Sequence, residues 1–309
     1  MPSPTAQVMR RRVRRRDPFL AVRAWPAHPI VLVLIGIVSA QVGAAHAKSI
    51  FDEVSPTAFV WLRLGFSAMI LLLIARPRVR GFELQDWLVV LGFGASLAAM
   101  NWSIYQAFSR LPLGIAVMLE FIGPLSIALL SLRRPRELVW VALAAAGVVL
   151  LGIEPGETTV VGVLFALLAG ASWAAYILLA KATGSRWEGI DGLALSATIA
   201  VIGLTPFALR HADELGSSHV WLVGLMVGLL SSMIPHSLDL VALRSMRPSL
   251  YSILMSLEPA AAALAALVII DEQLTVLQWL AVLCVIIASV GATRSGQQSP
   301  PAVEDATPI

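Results

Sequence analysis

Three charged residues sit inside runs otherwise fit for hydrocarbon: Glu120 in LEFIGPL, Glu258 in SLEPAAAALAAL and Arg63 in FVWLRLGF. A charge at bilayer depth costs at least ~2.5–3.5 kcal/mol on insertion scales, so such residues mark ion or substrate paths by default. Desolvation favours the neutral acid and a nearby cation favours the carboxylate, which suits a buried Glu to taking up and releasing a proton. Arg63 brings a planar fork that holds a carboxylate by two parallel hydrogen bonds. Each has a plainer alternative: Glu258 as a Glu-Pro corner that only shapes the backbone, and Arg63 as a side chain that snorkels to the interface.

Polar side chains at similar depth are Asn101, Tyr105, Trp173 and Tyr176, with Gln41 and Gln106 beside them. The aromatic ones either wall a cavity or pack between helices and at the interface. His236, in SSMIPHSLD, is a candidate proton relay or a hydrogen-bonded core histidine. His46 and Asp239 fall near helix ends, where an interfacial position is expected.

The elements that position these residues are membrane spans. The chain is 58% hydrophobic and 13% charged, with a mean hydropathy of +0.83; soluble domains carry about 25% charged residues. Apolar runs near the ~20 residues needed to cross a bilayer fall at 30–47, 58–75, 87–108, 112–131, 138–153, 159–180, 190–209, 219–241, 249–270 and 275–292. The reading is an all-α integral membrane protein with ten transmembrane helices. The net charge of +3 does not point to nucleic acid, because the basic residues lie in short loops and one N-terminal arm. The single cysteine, Cys284, builds neither a disulfide nor a metal cluster, and no cofactor is expected.

Lys and Arg set the orientation. One side collects the arginines of the N-terminal arm, Arg76, Arg78 and Arg80, Arg133, Arg134 and Arg136, Lys181, Arg186, Arg244, Arg247 and Arg294. The other has Lys48, Arg110 and Arg210 among many acidic residues. Both termini are therefore expected in the cytoplasm. Residues 1–28 read as a disordered Arg-rich arm that touches anionic lipid, and 294–309 as a disordered tail.

Between them, residues 29–154 and 155–293 form two five-span halves. Shifted by 135 positions, Ala107 falls on Ala242, Leu119 on Leu254, Pro124 on Pro259, Ala128 on Ala263 and Glu137 on Glu272. Asn101 falls on His236, and Glu120 and Glu258 miss each other by three residues, close to one helical turn. Near the starts of the halves the shift is 133, which places Ser39 on Ser172 and Lys48 on Lys181. Five is an odd number, so the second half enters the membrane inverted. Inverted repeats are the usual architecture of secondary transporters, with the substrate near the midplane.

These paired halves, each with a proline in its fourth helix, resemble the drug/metabolite transporter superfamily and its EamA-type domain. Within it, MNWSIYQAFSRLPLGIAVMLEFIGPLSIALLSLRRP and MSLEPAAAALAALVIIDEQLT resemble the bacterial inner-membrane threonine/homoserine exporters. The resemblance spans about residues 30–292, and the usual GE of the second-half motif reads DE here, Asp271 and Glu272. It implies export of a small amino acid coupled to the proton gradient, with no ATP. A zwitterion needs a cation for its carboxylate, an acceptor for its ammonium group and a group that titrates. The residues for that are Glu120, Arg63, Glu258, Asn101, Tyr105, His236, Trp173 and Tyr176.

Other classes fit less well. GASL (Gly94–Leu97) and GASW (Gly170–Trp173) each miss the GxSG of a membrane-embedded serine protease by their last residue. There is no HExxH zinc pair and no GxxxxGK[ST] phosphate loop. The remaining alternative is an exporter of the same fold for an aromatic amino acid, a purine or a cationic drug.

Overall fold

The computed structural model describes residues 28–77, 79, 81–130, 138–153, 159–187, 190–243, 246 and 248–297. All but His28 of the N-terminal arm, and the tail beyond Gln297, lie outside the described residues. In chain order the helices are α1 Pro29–Lys48, α2 Pro56–Ala75, α3 Leu84–Phe108, α4 Leu113–Glu120, α5 Ile122–Leu130, α6 Leu138–Ile153 and α7 Val160–Gly184. They continue as α8 Asp191–Ala208, α9 Ser218–Gly228, α10 Ile234–Leu243, α11 Pro248–Met255, α12 Glu258–Ile270 and α13 Val276–Gln297. A 3-10 segment, Leu209–Gly216, follows α8, and a π-helical stretch, Leu229–Met233, joins α9 to α10. Among the described residues eight helical stretches are long and apolar enough to cross a membrane, and Leu113–Ile127 and Leu138–Leu150 are shorter apolar ones. This is consistent with ten crossings. Helix α13 runs to Gln297, four residues into the stretch expected to be a disordered tail, because its i,i+4 ladder continues past Arg294.

Two crossings are broken, one at the Glu-Pro corner that the sequence offered as an alternative for Glu258 and one in the fourth crossing, which was expected to run unbroken. The fourth is divided into α4 and α5 at Phe121, and the ninth into α11 and α12 at Ser256 and Leu257. Proline has no N–H to give the carbonyl four residues earlier. Pro124 therefore leaves the carbonyl of Glu120 without its helical partner, and Pro259 does the same to Met255. Residues 120 and 255 are the last residues of α4 and α11, and they stand 135 positions apart.

Packing of the helices follows paired contacts. Helix α3 lies along α7 over the most extensive contact among the described residues, and α1 lies along the α9–π–α10 crossing. Helix α2 packs on α8, α6 on α13 and α4 on α12. Large apolar side chains point outward as well as inward, with Val268 82% and Leu32 2% exposed. With lipid outside, burial of apolar area does not hold such helices together; close packing and polar bonds do. Gly170 of α7 lets the broken crossing sit on its backbone, since a Cβ there would come 2.6 Å from the Glu120 carbonyl oxygen. Gly114 of α4 plays the same part against α12, where a Cβ would lie 2.7 Å from that of Ala263.

Caps fix several ends. Ser55 Oγ accepts from the N–H of Ala58 at 3.3 Å, and Thr159 Oγ1 from that of Gly162 at 3.1 Å. Pro112 precedes α4 and has no side chain to cap it; Glu272, from the segment after α12, accepts the Leu113 N–H instead at 2.7 Å.

Candidate functional site

One cavity of about 420 Å³ lies between the halves. It is lined by Arg63 of α2, Asn101 and Tyr105 of α3, Glu120 of α4, Trp173 and Tyr176 of α7, and Glu258 of α12. These are seven of the eight residues singled out from sequence. The eighth, His236, has a side chain that lies outside the described ones. Both helix breaks open onto the cavity, since Glu120 ends α4 and Glu258 begins α12.

Arg63 is 5% exposed, so it does not snorkel to an interface. The reason is local. Its helix faces α3 and the π-helical stretch at this level, and both supply acceptors. Nη2 donates to Asn101 Oδ1, Nη1 donates to Ser232 Oγ at 3.1 Å, and the guanidinium stands 5.1 Å over the Tyr105 ring. Asn101 is itself held, its Nδ2 donating to the Leu97 carbonyl at 2.9 Å. Arg63 Nε is sealed from solvent with no hydrogen-bond partner among the described residues. The guanidinium is therefore held in place but not neutralised by an adjacent carboxylate. A buried cation in that condition is suited to receiving an anionic group.

Glu120 and Glu258 both line the cavity, and Glu120 lies within the fields of Glu258 and Arg63. Neither carboxylate has a hydrogen bond or ion pair among the described residues. The cavity thus has a cationic wall on α2 and an acidic wall on α4 and α12.

Trp173 stacks edge-on to Phe121 at the fourth-helix break, with ring centroids 5.6 Å apart, and Tyr176 leans on Phe93 at 4.9 Å. Both rings are at once packing residues and cavity wall. Tyr105 belongs to an aromatic plug, 6.1 Å from Phe59, 6.1 Å from Phe51 and 5.4 Å from Phe108. At that end the lining residues Phe108 and Val117 are buried. Towards the end of α2 and the start of α8 the lining side chains Ile74, Ile190 and Leu193 are half-exposed.

Sequence reasoning missed part of the wall. Asp239, expected at an interface, lines the cavity, because the π-helical stretch carries α10 inward along α1. Tyr251 of α11 also lines it and hydrogen-bonds the Asp239 carboxylate. Ser231 and Ser232, on the π-helical turn, complete that side. The available signal was the pair of serines before Pro235, two hydroxyls in an apolar run. His46 is half-buried off the cavity, its Nδ1 2.8 Å from the Val42 carbonyl.

Comparison with known proteins adds a family. The profile of the EamA-like transporter family matches residues 28–153 and again 160–294. The threonine/homoserine exporter RhtA of Salmonella typhimurium (strain LT2) is 38% identical over 276 residues, 88% of this chain and 93% of that protein. The protein of the same name from Escherichia coli (strain K12) is 39% identical over 269 residues, 86% of this chain and 91% of its own. An uncharacterized transporter of Bacillus subtilis, YwfM, is 30% identical over 255 residues, 75% of this chain and 82% of that one. A solved protein crystal structure aligns with a TM-score of 0.58 at 19% identity, covering 87% of this chain and 97% of that one. At that identity the last likeness speaks for the fold alone.

Proposed function

Because the chain belongs to the EamA-like transporter family, we propose that it is a secondary active exporter of small amino acids of the threonine/homoserine type, working by proton antiport. The observation that carries this reading is the cavity that unites an unneutralised Arg63 with Glu120 and Glu258 at the two helix breaks. Arg63, steadied by Asn101 and Ser232, holds the substrate carboxylate. Glu120 and Glu258 receive the ammonium group in one state and a proton in the other, so the two cargoes exclude each other. That exclusion is what antiport requires: the carrier changes sides loaded with one or the other.

The architecture we infer is an inverted repeat of residues 29–154 and 155–293. It is supported by the breaks at equivalent positions and by helix contacts that survive exchange of the halves, α3 with α7 against α1 with the α9–π–α10 crossing. Paired broken helices in corresponding positions are the usual marker of a transporter binding site. By the bias of Lys and Arg, both termini face the cytoplasm of a bacterial inner-membrane protein, and the half-exposed end of the cavity, by Ile74 and Leu193, faces the same side. No ATP site or catalytic step enters this scheme.

One observation favours a second cargo. The cavity is larger than threonine needs, and Trp173 and Tyr176 offer ring faces to a bigger side chain.

The test is efflux of labelled threonine and homoserine from preloaded cells, comparing the wild type with Glu120→Gln at equal membrane abundance. Export by the wild type and its loss in the variant support the reading. Export of neither amino acid by the wild type removes this cargo, and competition by phenylalanine then decides for the second one. Equal export by both proteins makes Glu120 structural.

A further inference from the structure

Beyond the two glutamates, the cavity wall holds a second polar group that the exporter reading leaves unused. Asp239 of α10 and Tyr251 of α11 both line the cavity, and the Tyr251 hydroxyl is hydrogen-bonded to the Asp239 carboxylate. Glu258 lies within the field of Asp239, and Glu120 within that of Glu258. The ionisable groups Arg63, Glu120, Glu258, Asp239 and Tyr251 therefore line one cavity from five different helices. Among the described residues, Tyr251 from α11 and Glu258 from α12 lie close to Asp239, which has a further partner besides these. Helix α1 passes close by at Gly36, whose added Cβ would lie 3.6 Å from Asp239 Oδ1. His236, three residues earlier on α10, has a side chain outside the described ones.

We propose that Asp239 and Tyr251 form a proton relay that discharges Glu258 toward the open end of the cavity, separate from the residues that hold the substrate. The inference rests on the antiport reading. Its chemistry is a balanced transfer: Glu258 gives up its acidic proton and becomes a carboxylate, while the Asp239 carboxylate gains one proton and becomes the acid. Where the transfer passes through Tyr251, the phenol oxygen accepts one proton as its own O–H proton moves to Asp239. Asp239 then loses its proton to water, and no bond between heavier atoms changes.

Two features fit a relay better than a binding role. Asp239 and Tyr251 are partnered with each other, so an arriving ammonium group would have to break that bond first. Glu258, by contrast, has no hydrogen-bond partner among the described residues and stands between the relay and Glu120. An acid with a donor already in place is prepared for fast proton exchange, and an unpartnered one for a cargo.

The relay and the site separate experimentally in proteoliposomes. Counterflow of labelled threonine at equal pH on both sides needs the substrate site but no net proton movement. Threonine movement driven by a pH difference, followed with a lumenal pH dye, needs both. We expect Asp239→Asn and Tyr251→Phe to keep counterflow within about twofold of wild type. Both should lose tenfold or more of the pH-driven transport and its proton signal, and Asp239→Glu should restore a good part of it. Full pH-driven transport in both Asp239→Asn and Tyr251→Phe would overturn the relay. Parallel loss of counterflow in both would also overturn it, by making the pair part of the binding site or of the helix packing. A wild type that shows counterflow with no response to pH would instead remove the antiport reading, and the relay with it.

Discussion

Lys48 Nζ stands 2.6 Å from Glu272 Oε1 and ties the end of the first helix to the segment that follows the ninth crossing. The same ammonium donates to the Leu111 carbonyl at 2.6 Å, and the other glutamate oxygen caps α4 at Leu113. Both side chains are 18% exposed, so the pair is screened weakly. Three helix ends meet at this point, two of which belong to the broken crossings that carry Glu120 and Glu258.

Removing either partner leaves a charge and a backbone group unmatched. Lys48→Ala and Glu272→Gln should each cost about 2 kcal/mol, the scale of a hydrogen bond to a charged group. Cys284 is the single cysteine and is half-buried on α13. Its reaction with a thiol dye during heating in detergent gives the unfolding midpoint directly. Both variants should unfold earlier, and the double variant by less than the sum of the two.

Arg63→Lys keeps the charge and loses the fork that spans Asn101 and Ser232. An ammonium group is a point donor and does not reproduce a two-point hold on a carboxylate. Threonine export should fall by about tenfold or more, equivalent to ~1.4 kcal/mol, and chiefly through a raised KM. An unchanged KM in transport assays would take Arg63 out of substrate binding.

Gly170→Ala places a methyl group against the Glu120 carbonyl at 2.6 Å, a backbone atom that cannot swing aside. Gly203, on α8, has nothing within 4 Å of an added Cβ. Abundance of folded protein in the membrane should fall several-fold for Gly170→Ala. For Gly203→Ala it should hold or rise slightly, given alanine's higher helix propensity. Equal abundance of the two would mean that the α4–α7 approach is looser than described.

Asp271 ends α12 with φ +53°, in the left-handed region that glycine occupies without a steric cost. The DE of this chain therefore carries a strain that the more usual GE lacks. Asp271→Gly should stabilise the protein by about 0.5–1 kcal/mol, read as a later unfolding midpoint with the same dye.

Much of the framework was legible in the chain. The limits of α1, expected at 30–47 and found at Pro29–Lys48, and the start of the fourth crossing, expected at 112 and found at Leu113, match closely because hydrocarbon thickness dictates run length and breakers mark the ends. Glu120, Glu258 and Arg63 stood out because intramembrane charge is costly. The break before Pro259 was offered as a Glu-Pro corner, while the one before Pro124 was missed. A proline in a membrane helix either kinks or ends it, and tertiary contact at Gly170 helps decide which. Asp239 was misplaced for a related reason: depth was counted from the helix end on a straight helix, and the crossing is not straight. Tyr251 carried no signal, since a tyrosine near a helix start looks like an interfacial anchor.

The π-helical turn at Leu229–Met233 gives that crossing slack. It holds one more residue than an α-helical turn of the same height. If the surplus residue is taken up into the regular α-helical ladder, everything beyond it turns by about 100° and moves about 1.5 Å along the helix axis. Gly228 and Asp239 lie on either side of it, so α9 can keep its seat against α2 while Asp239 changes its bearing. A crossing of this kind behaves as a swivel with two settings, one with the surplus residue held in the π-helical turn and one with it absorbed.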